Sequence, residues 1–390
     1  MSLLDRKVTI VGAGIGGLAA ALCLRQRGAD VTVLEQAEAI TEVGAGLQIS
    51  PNGVSVLKAV GVENVLKQRS VRAEAVVLRD YARPGEVLRL DLAKHASDQD
   101  FYFVHRSDLV DLLADAVRQS GVQIRLLQKV AKVQADPAPV VDLANGAYRR
   151  SDIVIGADGL HSKARVALNG ADKPFFTGQV AWRATIPNDL NLPNEAQVFM
   201  GPGCHIVVYP LRGGDLINVV AVQERSAWAD EGWNHSDDPD NLRAAFSGFQ
   251  GVARQILQRV DQVRLWGLFR HPVAQNWSRG RVAILGDAAH PTLPFMAQGA
   301  NMALEDAWVL AQSLDTDADA EAALATYQAR RRDRATKVVA AANGNAWKYH
   351  LRQPPVRGAA HLVLKLGGRF APERMVRQFD WIYRHDVTAA

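Results

Sequence analysis

The spacing of apolar residues changes twice within the first 35 positions. Val8, Ile10 and Val11 form a short apolar run that is typical of a buried strand, and residues 15–27 then repeat apolar positions at helical intervals. After a turn, a second apolar run closes on Glu35. The pattern predicts a strand, a helix and a second strand, which together form one βαβ unit.

The same two patterns continue through the first half of the chain. A helix is expected after Arg106, with Ser107 as its N-cap and Gly121 at its end, because Leu and Val residues follow at helical spacing. The apolar run at 153–155 predicts a buried strand that ends in the motif GADG at 156–159.

From residue 174 to residue 272, short alternating runs replace the helical pattern. Val180–Ala184, Ala196–Met200 and His205–Pro210 are examples, and Gly, Pro or Asn residues separate such runs. A period of two predicts strands with one face in a core, so we expect a second, largely antiparallel sheet inserted in the first domain. Residues 71–103 are expected to form strands that leave the first domain.

The first domain resumes after this insertion. Residues 281–285 predict a buried strand that ends in Gly286-Asp287, and a glycine-opened helix begins within 297–301. This combination indicates a second phosphate or anion contact. The tail from 312 to 390 is predicted to be helical. Its arginine run is typical of a solvated face and is assigned no function; the run consists of Arg330, Arg331, Arg332 and Arg334.

The first glycine-rich turn has the form GxGxxG and lies between the first predicted strand and its helix. In this arrangement Gly12 makes the tight turn, Gly14 lets a pyrophosphate approach the backbone, and Gly17 lets the helix pack on the strand. The helix N-terminus offers free N–H groups to the pyrophosphate. Glu35 is placed to bind a ribose diol, so we expect an adenine dinucleotide, FAD or NAD in preference to NADP.

Two further features allow two interpretations each. The glycines between residues 44 and 53, among them Gly44 and Gly46, indicate either backbone close to a ligand or a mobile surface loop. Asp158 follows a buried strand, so it is either a ligand contact at the sheet edge or a turn and capping residue.

Composition limits the class of protein. A chain of 390 residues with 48% hydrophobic and 22% charged residues is typical of a globular protein of two or three domains. The net charge of +4 gives no argument for nucleic acid. Cys23 and Cys204 offer neither a disulfide framework nor a metal-ligand spacing, so we expect no metal and a reducing, cytoplasmic location. We also expect no segment that spans a membrane.

Three separated motifs occur in order along the chain: GxGxxG with Glu35, GADG at 156–159, and GDAAHP at 286–291 followed by AQGANMALEDA. Together they closely resemble the single-component FAD-dependent aromatic hydroxylases, the class A flavoprotein monooxygenases. Within that family the chain is most similar to the branch of salicylate, 3-hydroxybenzoate and 6-hydroxynicotinate hydroxylases. The resemblance extends from Lys7 to Tyr383.

The resemblance implies an α/β fold. We expect a Rossmann-like FAD-binding domain, similar to that of para-hydroxybenzoate hydroxylase, with an inserted, mainly antiparallel β-sheet substrate domain and a helical C-terminal segment. The expected boundaries are 1–72, 100–173 and 274–345 for the FAD-binding domain, 73–99 and 174–273 for the substrate domain, and 346–390 for the C-terminal segment. Only one dinucleotide fingerprint is present, so NADH or NADPH is expected to bind transiently in the cleft.

The resemblance also assigns cofactor-binding residues. It implies that Arg106 reaches the FAD phosphates and ribityl chain, that Asp158 serves both FAD and the nicotinamide cofactor, and that Asp287 binds the ribityl hydroxyls. It also implies that the helix N-terminus at Gly299 to Asn301 faces the flavin pyrimidine, where the helix dipole would stabilise the negative charge of reduced flavin. The complete set is Gly12, Gly14, Gly17, Glu35, Gln36, Arg106, Val130, Asp158, Gly286, Asp287, Gly299, Ala300 and Asn301.

His205, Val207 and Tyr209 alternate in one predicted strand and so share a face. Such residues are often half-buried members of a sheet without a function. In the 3-hydroxybenzoate and 6-hydroxynicotinate branch, however, a histidine and a tyrosine at this spacing before a proline bind and polarise the substrate hydroxyl. The resemblance therefore implies catalysis: His205 takes or shares the hydroxyl proton, which suits a reference pKa of about 6.5, and Tyr209 orients the group.

The chain departs from the resemblance at Pro294, where the 3-hydroxybenzoate enzymes place a glutamine that contacts substrate. This departure argues against 3-hydroxybenzoate itself as the substrate. We expect Gln48 near the flavin, in a position to replace that polar contact. The expected substrate-binding residues are thus Gln48, His205, Tyr209 and Pro294.

The implied activity is that of a monooxygenase. NAD(P)H reduces FAD, O₂ gives the flavin C4a-hydroperoxide, and one oxygen atom passes to a small hydroxylated aromatic, an aromatic or N-heteroaromatic carboxylate. Two alternatives stay open: a monooxygenase of the same fold for a larger natural-product scaffold, and an FAD-holding redox or NADH-sensing protein without oxygenation. A monomer or homodimer without a nucleic-acid partner is expected.

Overall fold

The computed structural model describes residues 3–40, 46–226 and 235–389, apart from the side chains of 345–347. The predicted loop residue Gly44 lies outside the described residues. The strands are β1 (Lys7–Val11), β2 (Asp30–Leu34), β3 (Gly46–Ile49), β4 (Ser70–Arg72), β5 (Ala75–Asp80), β6 (Leu88–Asp91), β7 (Tyr102–His105), β8 (Gln123–Arg125), β9 (Val130–Gln134), β10 (Val140–Leu143), β11 (Tyr148–Arg150), β12 (Ile153–Gly156), β13 (Phe175–Pro187), β14 (Glu195–Gly201), β15 (Cys204–Leu211), β16 (Leu216–Glu224), β17 (His235–Asp237), β18 (Val263–Arg270), β19 (Ser278–Arg279) and β20 (Val282–Ile284).

The helices occupy the connections between strands and the C-terminal part of the chain. They are α1 (Ile15–Arg25), α2 (Pro51–Ala59), α3 (Glu63–Arg69), α4 (Leu92–His95), α5 (Arg106–Gln119), α6 (Lys163–Asn169), α7 (Pro239–Ala245), α8 (Gly251–Gln258), α9 (Gly299–Thr316), α10 (Ala320–Tyr349), α11 (Pro354–Phe370), α12 (Pro372–Arg377) and α13 (Asp380–Tyr383). Short 3₁₀ turns cover Arg212–Gly214, Gly286–Ala288 and Pro294–Met296.

The first large sheet has six strands in the order β19-β20-β12-β1-β2-β8. β1 pairs in parallel with β2 and with β12, and β12 pairs in parallel with β20. Ile153, Val154 and Ile155 of β12 are all buried, although successive side chains point to opposite faces of a sheet. Both faces of this sheet are therefore covered, and the predicted Rossmann-like architecture is confirmed.

The second large sheet has eight strands in the order β17-β18-β13-β16-β15-β14-β5-β6. The pairs are antiparallel except for β5 with β14. One face packs against α7 and α8, where Trp182 and Ile206 meet Phe246 and Ile256 in a common core. The predicted, mainly antiparallel sheet is confirmed, and its other face lines a cavity.

The strands of the two large sheets come from the stretches that the sequence assigned to different domains. β5 and β6 lie within 73–99, β13 to β18 lie within 174–273, and β1, β2, β8, β12, β19 and β20 lie within the remaining segments. α11 and α12 belong to the C-terminal segment and pack on β6, through Leu364 and Val376 against Leu88 and Leu90. The domain boundaries themselves stay a prediction.

The N-terminus of α5 differs from the prediction. The helix begins at Arg106 and its N-cap is His105, whose Nδ1 accepts a hydrogen bond from the Ser107 backbone N–H at 3.3 Å. The Ser107 hydroxyl lies 2.6 Å from the same ring nitrogen. The prediction of Ser107 as the N-cap was therefore wrong. Serine is a favoured N-cap residue, but here it lies inside the first turn, where it contacts the ring of the actual cap, His105.

The arginine run on α10 is not the solvated face that the sequence predicted. Arg331 is 1% exposed, and its guanidinium donates to Asp306 at 2.8 Å and to Glu305, both on α9. Arg334 also donates to Glu305, at 2.8 Å. Residues three apart on a helix lie on one face, so these two arginines point into the protein together. The exposed members of the run are Arg330 and Arg332.

The same ionic cluster holds the loop after β20. Asp306 accepts hydrogen bonds from the Gly286 N–H at 3.0 Å and from His290 Nε2 at 2.5 Å. Glu305 accepts a hydrogen bond from Asn52 of α2 at 2.6 Å. Burial alone would raise the pKa of Asp306, but His290 and the arginine lower it to about 2. The ionised cluster therefore joins α2, α9 and α10 to this loop.

Replacing Arg331 with methionine is expected to destabilise the protein by about 3–5 kcal/mol, since a buried carboxylate pair then loses its positive partner. Urea or thermal unfolding measures the change. Arg332→Ala is the matched control, because Arg332 lies next in sequence but is exposed, and it is expected to change the unfolding free energy by no more than about 0.5 kcal/mol.

The effect of Arg331→Met is also expected to depend on pH. In the wild type the pKa values of Asp306 and Glu305 are lowered, so their stabilisation is present above the pKa of the unfolded chain and is lost as the pH falls through the folded values. Without Arg331 the buried carboxyl groups are more stable when protonated, so the folded variant is stabilised as the pH falls. The stability difference from wild type therefore narrows as the pH falls from neutral to about 4, and a constant difference contradicts this explanation.

Candidate active site

A cavity of about 1090 Å³ is lined by residues of both large sheets. At one end it meets the loops that follow β1, β12 and β20, and at the other it meets the open face of β13, β15 and β16. A single small ligand typically occupies a pocket of roughly 300–1,000 Å³. The cavity therefore has room for a cofactor and a substrate side by side.

The three glycines of the first turn have different surroundings. Gly12 has a φ of +102°, and a Cβ there would lie 2.5 Å from the Ala157 carbonyl oxygen. A Cβ on Gly17 would overlap the Gly12 carbonyl oxygen. Gly14, the N-cap of α1, lines the cavity, and a Cβ there would meet nothing within 4 Å. The positions thus have the surroundings expected for a tight turn, for helix packing and for ligand approach.

Glu35 follows β2 at the same edge of the sheet. Its Oε2 accepts a hydrogen bond from the Ala13 N–H and its Oε1 from the Ala37 N–H, both at 2.9 Å. These bonds fix the carboxylate at the cavity wall, to which Glu35 and Gln36 both contribute. Each carboxylate oxygen accepts more than one hydrogen bond, so Glu35 is still able to bind a ribose diol.

Most of the residues predicted to bind FAD line this end of the cavity: Gly12, Gly14, Glu35, Gln36, Arg106, Val130, Asp158, Gly286, Asp287, Gly299 and Ala300. Gly17 and Asn301 do not line it. The Asn301 side chain accepts from the Ser50 N–H and donates to the Gln48 carbonyl, both at 3.0 Å. It therefore joins β3 and α2 to α9, and a contact between Asn301 and the cofactor stays a prediction.

Asp158 makes the capping contacts that the sequence left open. Its Oδ1 accepts from the Ser162 hydroxyl at 2.5 Å and its Oδ2 from the Lys163 N–H at 2.6 Å. Ser162 in turn caps α6 by accepting from the Arg165 N–H at 2.8 Å. Burial raises the pKa of Asp158 in spite of these bonds. Because the residue also lines the cavity, a cofactor contact stays a prediction.

Asp287 and the start of α9 both line the cofactor end of the cavity. The Asp287 side chain lines the cavity, and burial raises its pKa against the opposing charges of His290 and Arg106. Within the described ranges its carboxyl group has no hydrogen-bond partner, so a hydroxyl-bearing ligand is suited to it. Gly299 and Ala300 present free helix N–H groups beside it.

At the other end, His205, Val207 and Tyr209 of β15 all line the cavity, which confirms their shared face. The Tyr209 ring packs against Phe103, with ring centroids 4.9 Å apart. A Cβ on Gly46 would lie 2.6 Å from the Tyr209 ring. The absence of a side chain at Gly46 thus makes room for the tyrosine. This packing role differs from both predicted roles of the glycine, a close approach to a ligand and a mobile surface loop.

Burial changes the proton affinity of both predicted catalytic residues. It raises the pKa of Tyr209 well above the ordinary value, so the phenol stays protonated and is a hydrogen-bond donor. Burial, together with His350, lowers the pKa of His205 well below its ordinary value, so its imidazole is neutral. Nδ1 of His205 lies 2.7 Å from Nε2 of His350. The prediction, which used the reference pKa, was therefore wrong about the basicity of His205 but names a group able to accept a proton.

Arg183 is a cavity residue that the sequence pattern did not single out. It lies on β13 on the same face as Ala181, whereas Trp182 points into the opposite core. Its guanidinium lies 5.4 Å from the centre of the Trp266 ring, and no carboxylate of the described residues is within ion-pair distance. Burial and Arg106 lower the pKa of Arg183, but a guanidinium stays charged in proteins. The sequence did carry a signal for this residue, because Arg183 is the one charged residue within the apolar strand β13.

The remaining predicted substrate residues, Gln48 and Pro294, both line the cavity. Pro294 opens a 3₁₀ turn, and the next residue, Phe295, packs against His205 with ring centroids 5.4 Å apart. Cys204 is adjacent to His205 in sequence but packs into the core on the other face of the sheet. Burial raises the pKa of its thiol to about 11, so Cys204 is an unreactive core residue.

A Rossmann-like sheet with a dinucleotide-binding turn, joined through one cavity to an antiparallel sheet, is the arrangement of a flavoprotein oxidoreductase. Comparison with known proteins agrees. The FAD binding domain family matches residues 5–342. The 3-amino-4-hydroxybenzoate 2-monooxygenase of Streptomyces cremeus is 34% identical over 360 residues, which cover 90% of this chain and 89% of that enzyme. The 3-hydroxybenzoate 6-hydroxylase of Klebsiella oxytoca is 35% identical, with 97% and 96% covered.

Solved structures show the same relationship. HpxO of Klebsiella pneumoniae, in complex with FAD and uric acid, has a TM-score of 0.85 and 26% identity, with 96% of both chains covered. The chain therefore belongs to the FAD-dependent aromatic monooxygenases. The predicted family, the monooxygenase activity and the cofactors FAD and NAD(P)H are confirmed. Of the helices in the described ranges, none has both the length and the apolar character that a bilayer-spanning segment requires.

Gly14, which lines the cavity, and Gly17, which does not, are expected to respond differently to the same substitution. Gly14→Ala is expected to fold normally, because a Cβ has free space there, but to weaken FAD binding by at least about tenfold, since the methyl group enters the space of the pyrophosphate. Gly17→Ala is expected to destabilise the protein itself, because its Cβ meets the Gly12 carbonyl. FAD titration by flavin fluorescence and thermal unfolding of the cofactor-free proteins separate the two effects. Equal melting points for the two variants would contradict the assignment.

Proposed function

We propose that this monooxygenase acts on a small aromatic carboxylate that carries a ring hydroxyl group. The observation behind the proposal is that His205, Tyr209 and Arg183 lie on one wall of the cavity. Val207, between the first two, pairs with Val220, which in turn pairs with Arg183, so the arginine is two strands away, about 10 Å across the sheet. A hydroxybenzoate is of the size to contact the hydroxyl-binding pair and the guanidinium together.

Bound FAD, once reduced by NAD(P)H, supplies the oxygen chemistry. The residues of the chain prepare the ring for it. Tyr209 donates a hydrogen bond to the substrate hydroxyl and orients it, while neutral His205 accepts the hydroxyl proton at Nε2. The ring oxygen then carries negative charge, which raises the electron density of the ring carbon that is hydroxylated. Phe295 and Tyr349 pack around His205 and keep water from this position.

Arg183 pairs with the substrate carboxylate. Its Nε is buried and has no hydrogen-bond partner among the described residues. A buried charge without a partner is costly, so an anion that enters the cavity is stabilised there. The planar guanidinium also matches the two oxygens of a carboxylate.

The relatives support the substrate class. By their names, the enzymes of Streptomyces cremeus and Klebsiella oxytoca both act on benzoates that carry a ring hydroxyl. Pro294 lacks the side-chain amide of a glutamine, which favours a ring other than that of 3-hydroxybenzoate. 3-Amino-4-hydroxybenzoate and 6-hydroxynicotinate are the first compounds to try.

A second candidate is a larger aromatic substrate, and one observation supports it. Beyond His205 the cavity continues between β6 and the helices α11 and α12, where Leu90, Leu364 and Met375 line it. An apolar extension of this kind is able to hold a substituent that a simple benzoate lacks. The position of the ring and its hydroxyl against His205 and Tyr209 is the same for both candidates.

The deciding experiment measures NADH and NADPH oxidation by the FAD-loaded enzyme with a panel of hydroxybenzoates, aminohydroxybenzoates and hydroxypyridine carboxylates, and with derivatives of these that carry a bulky apolar substituent. Peroxide and hydroxylated product are both quantified, under ¹⁸O₂. One compound is expected to accelerate oxidation and to take up one ¹⁸O atom, with little peroxide. If compounds with a bulky apolar substituent alone are hydroxylated, the larger substrate is correct. If peroxide alone forms with every compound, both candidates are wrong.

Arg183→Met tests the carboxylate contact. With the active compound, the variant is expected to raise KM at least about tenfold, because the charge-assisted hydrogen bonds to the carboxylate are lost. The corresponding carboxamide serves as the comparison: wild type is expected to prefer the carboxylate, and the variant to lose that preference. FAD content is measured in parallel. An unchanged preference contradicts the role of Arg183 even if activity falls.

We place the enzyme in the cytoplasm. Both cysteines are buried free thiols, which suits a reducing compartment, and NAD(P)H is available there. Fractionation of the native host with an antibody tests this location. A monomer or homodimer stays the expectation for the assembly, and sedimentation of the FAD-loaded protein measures it.

A further inference from the structure

A chain of hydrogen bonds leads from the cavity wall to the protein surface. Nδ1 of His205 lies 2.7 Å from Nε2 of His350, and Nδ1 of His350 lies 2.9 Å from Oε1 of Glu224. The other Glu224 oxygen accepts a hydrogen bond from Arg352 at 2.5 Å. His205 and His350 are buried, whereas the Glu224 side chain is 34% exposed and that of Arg352 is 65% exposed. The contacts thus run continuously from the enclosed site to solvent.

The charge on Glu224 determines which ring nitrogens carry protons. Burial alone would raise the pKa of Glu224, but hydrogen bonds from Arg352 and His350 hold it below the ordinary value, so the group is an acceptor only. Nδ1 of His350 must therefore carry a proton and donate it. A neutral His350 then accepts at Nε2, so Nδ1 of His205 also carries a proton, and Nε2 of His205 has the free lone pair.

We propose that His350 and Glu224 are positioning residues that hold His205 in this tautomer and relay its proton between the substrate hydroxyl and solvent. The proposal deepens the proposed function and rests on it, because it gives His205 its proton-accepting nitrogen. Nothing in the local sequence points to it: His205 and His350 are 145 positions apart.

The proton transfers balance in both directions. The substrate O–H bond breaks as Nε2 of His205 gains that proton, and the proton on Nδ1 of His205 passes to Nε2 of His350. The proton on Nδ1 of His350 then passes to the Glu224 carboxylate, which exchanges it with solvent. When the hydroxylated product regains its phenolic proton, the same three transfers occur in reverse and restore the starting tautomers. After either passage both histidines are neutral and Glu224 is ionised again, so the only charge added to the cavity by the forward passage is that on the substrate oxygen.

The enclosure of His205 makes such a route necessary. Its ring packs against Phe295 and Tyr349, with ring centroids 5.4 Å and 5.3 Å away, and a bound aromatic ring would cover the cavity side. A proton accepted by His205 alone would leave a cation in surroundings that lower the pKa of its ring. Passing the charge to a partly exposed carboxylate removes this cost.

The backbone around Gly203 keeps the relay in place. The Gly203 N–H donates to the His350 carbonyl at 3.1 Å, and the Gly203 carbonyl accepts from the Glu224 N–H at 2.9 Å. Gly203 has a φ of +71°, and a Cβ there would lie 2.5 Å from the Arg352 guanidinium. One glycine therefore connects both positioning residues and makes room for the arginine above them.

The first test needs no substrate. The FAD-loaded enzyme is labelled with ¹⁵N-histidine, and its ring nitrogens are observed by NMR, with His205→Gln and His350→Gln used for assignment. Both rings are expected to be neutral with the proton on Nδ1 in wild type, and Glu224→Gln is expected to shift the His350 ring away from that single tautomer. A proton on Nε2 of His205 in wild type overturns the proposal, whatever the panel of substrates shows.

The second test follows the proton. Proton release on mixing with the active compound of the panel is recorded in weak buffer with an indicator dye, and binding is followed by the flavin spectrum. His350→Gln keeps a hydrogen-bonding side chain but cannot relay a proton, so it is expected to bind with an affinity within a few-fold of wild type and to release the proton at least about tenfold more slowly. Glu224→Gln is expected to behave alike, and His95→Gln, at the end of α4, to behave as wild type.

The outcomes separate the relay from the proposed function. Release at the wild-type rate in His350→Gln overturns the relay even when the substrate class is correct. If no compound of the panel is bound, the proposed substrate is wrong, and the NMR measurement alone decides whether the tautomers are set as we infer. A simple structural role for His350 would lower the melting point and the affinity together without a selective effect on proton release.

Discussion

The contact of Asp306 with Arg331 is the interaction on which the shape of the cavity depends. It joins α9 to α10 inside the protein, and the same carboxylate holds the Gly286 N–H and His290 of the loop that carries Asp287. A buried ion pair is a weak source of net stability but a strong penalty against any arrangement that separates it. A long helix such as α10 could pack on α9 in several registers. The pair singles out one, and with it the position of the loop at the cofactor end.

Features that depend on neighbouring residues were predictable from the sequence. The βαβ unit, the separate roles of Gly12, Gly14 and Gly17, and the common face of His205 and Tyr209 follow from backbone geometry and from periods of two and 3.6 residues. These rules need no knowledge of what packs against the element. The structure then brings most of the predicted cofactor residues and the predicted substrate residues to one cavity, although the contacts with a ligand stay predictions.

Features that depend on contacts between distant parts of the chain were not predictable. Nothing in the run around Arg331 distinguishes its buried members from Arg330, because burial depends on where α9 lies. The pKa of His205 depends first on burial and then on His350, which directly follows α10 and lies beside β15. Asp158 shows a third kind of limit, since one carboxyl group caps α6 and lines the cavity as well. The two interpretations of that residue were not exclusive.

The eight-stranded sheet separates the two demands that an enzyme places on its residues. On one face, side chains such as Trp182 and Ile206 form a core with α7 and α8, and on the other, the alternate residues of the same strands face the cavity. Replacing a residue on the open face changes the chemistry presented to a ligand while the core behind it and the ionic cluster under the cofactor loop stay intact. Such a sheet allows new ring substituents to be accommodated by single replacements without loss of the flavin site, which gives a family of this fold a ready route to different aromatic substrates.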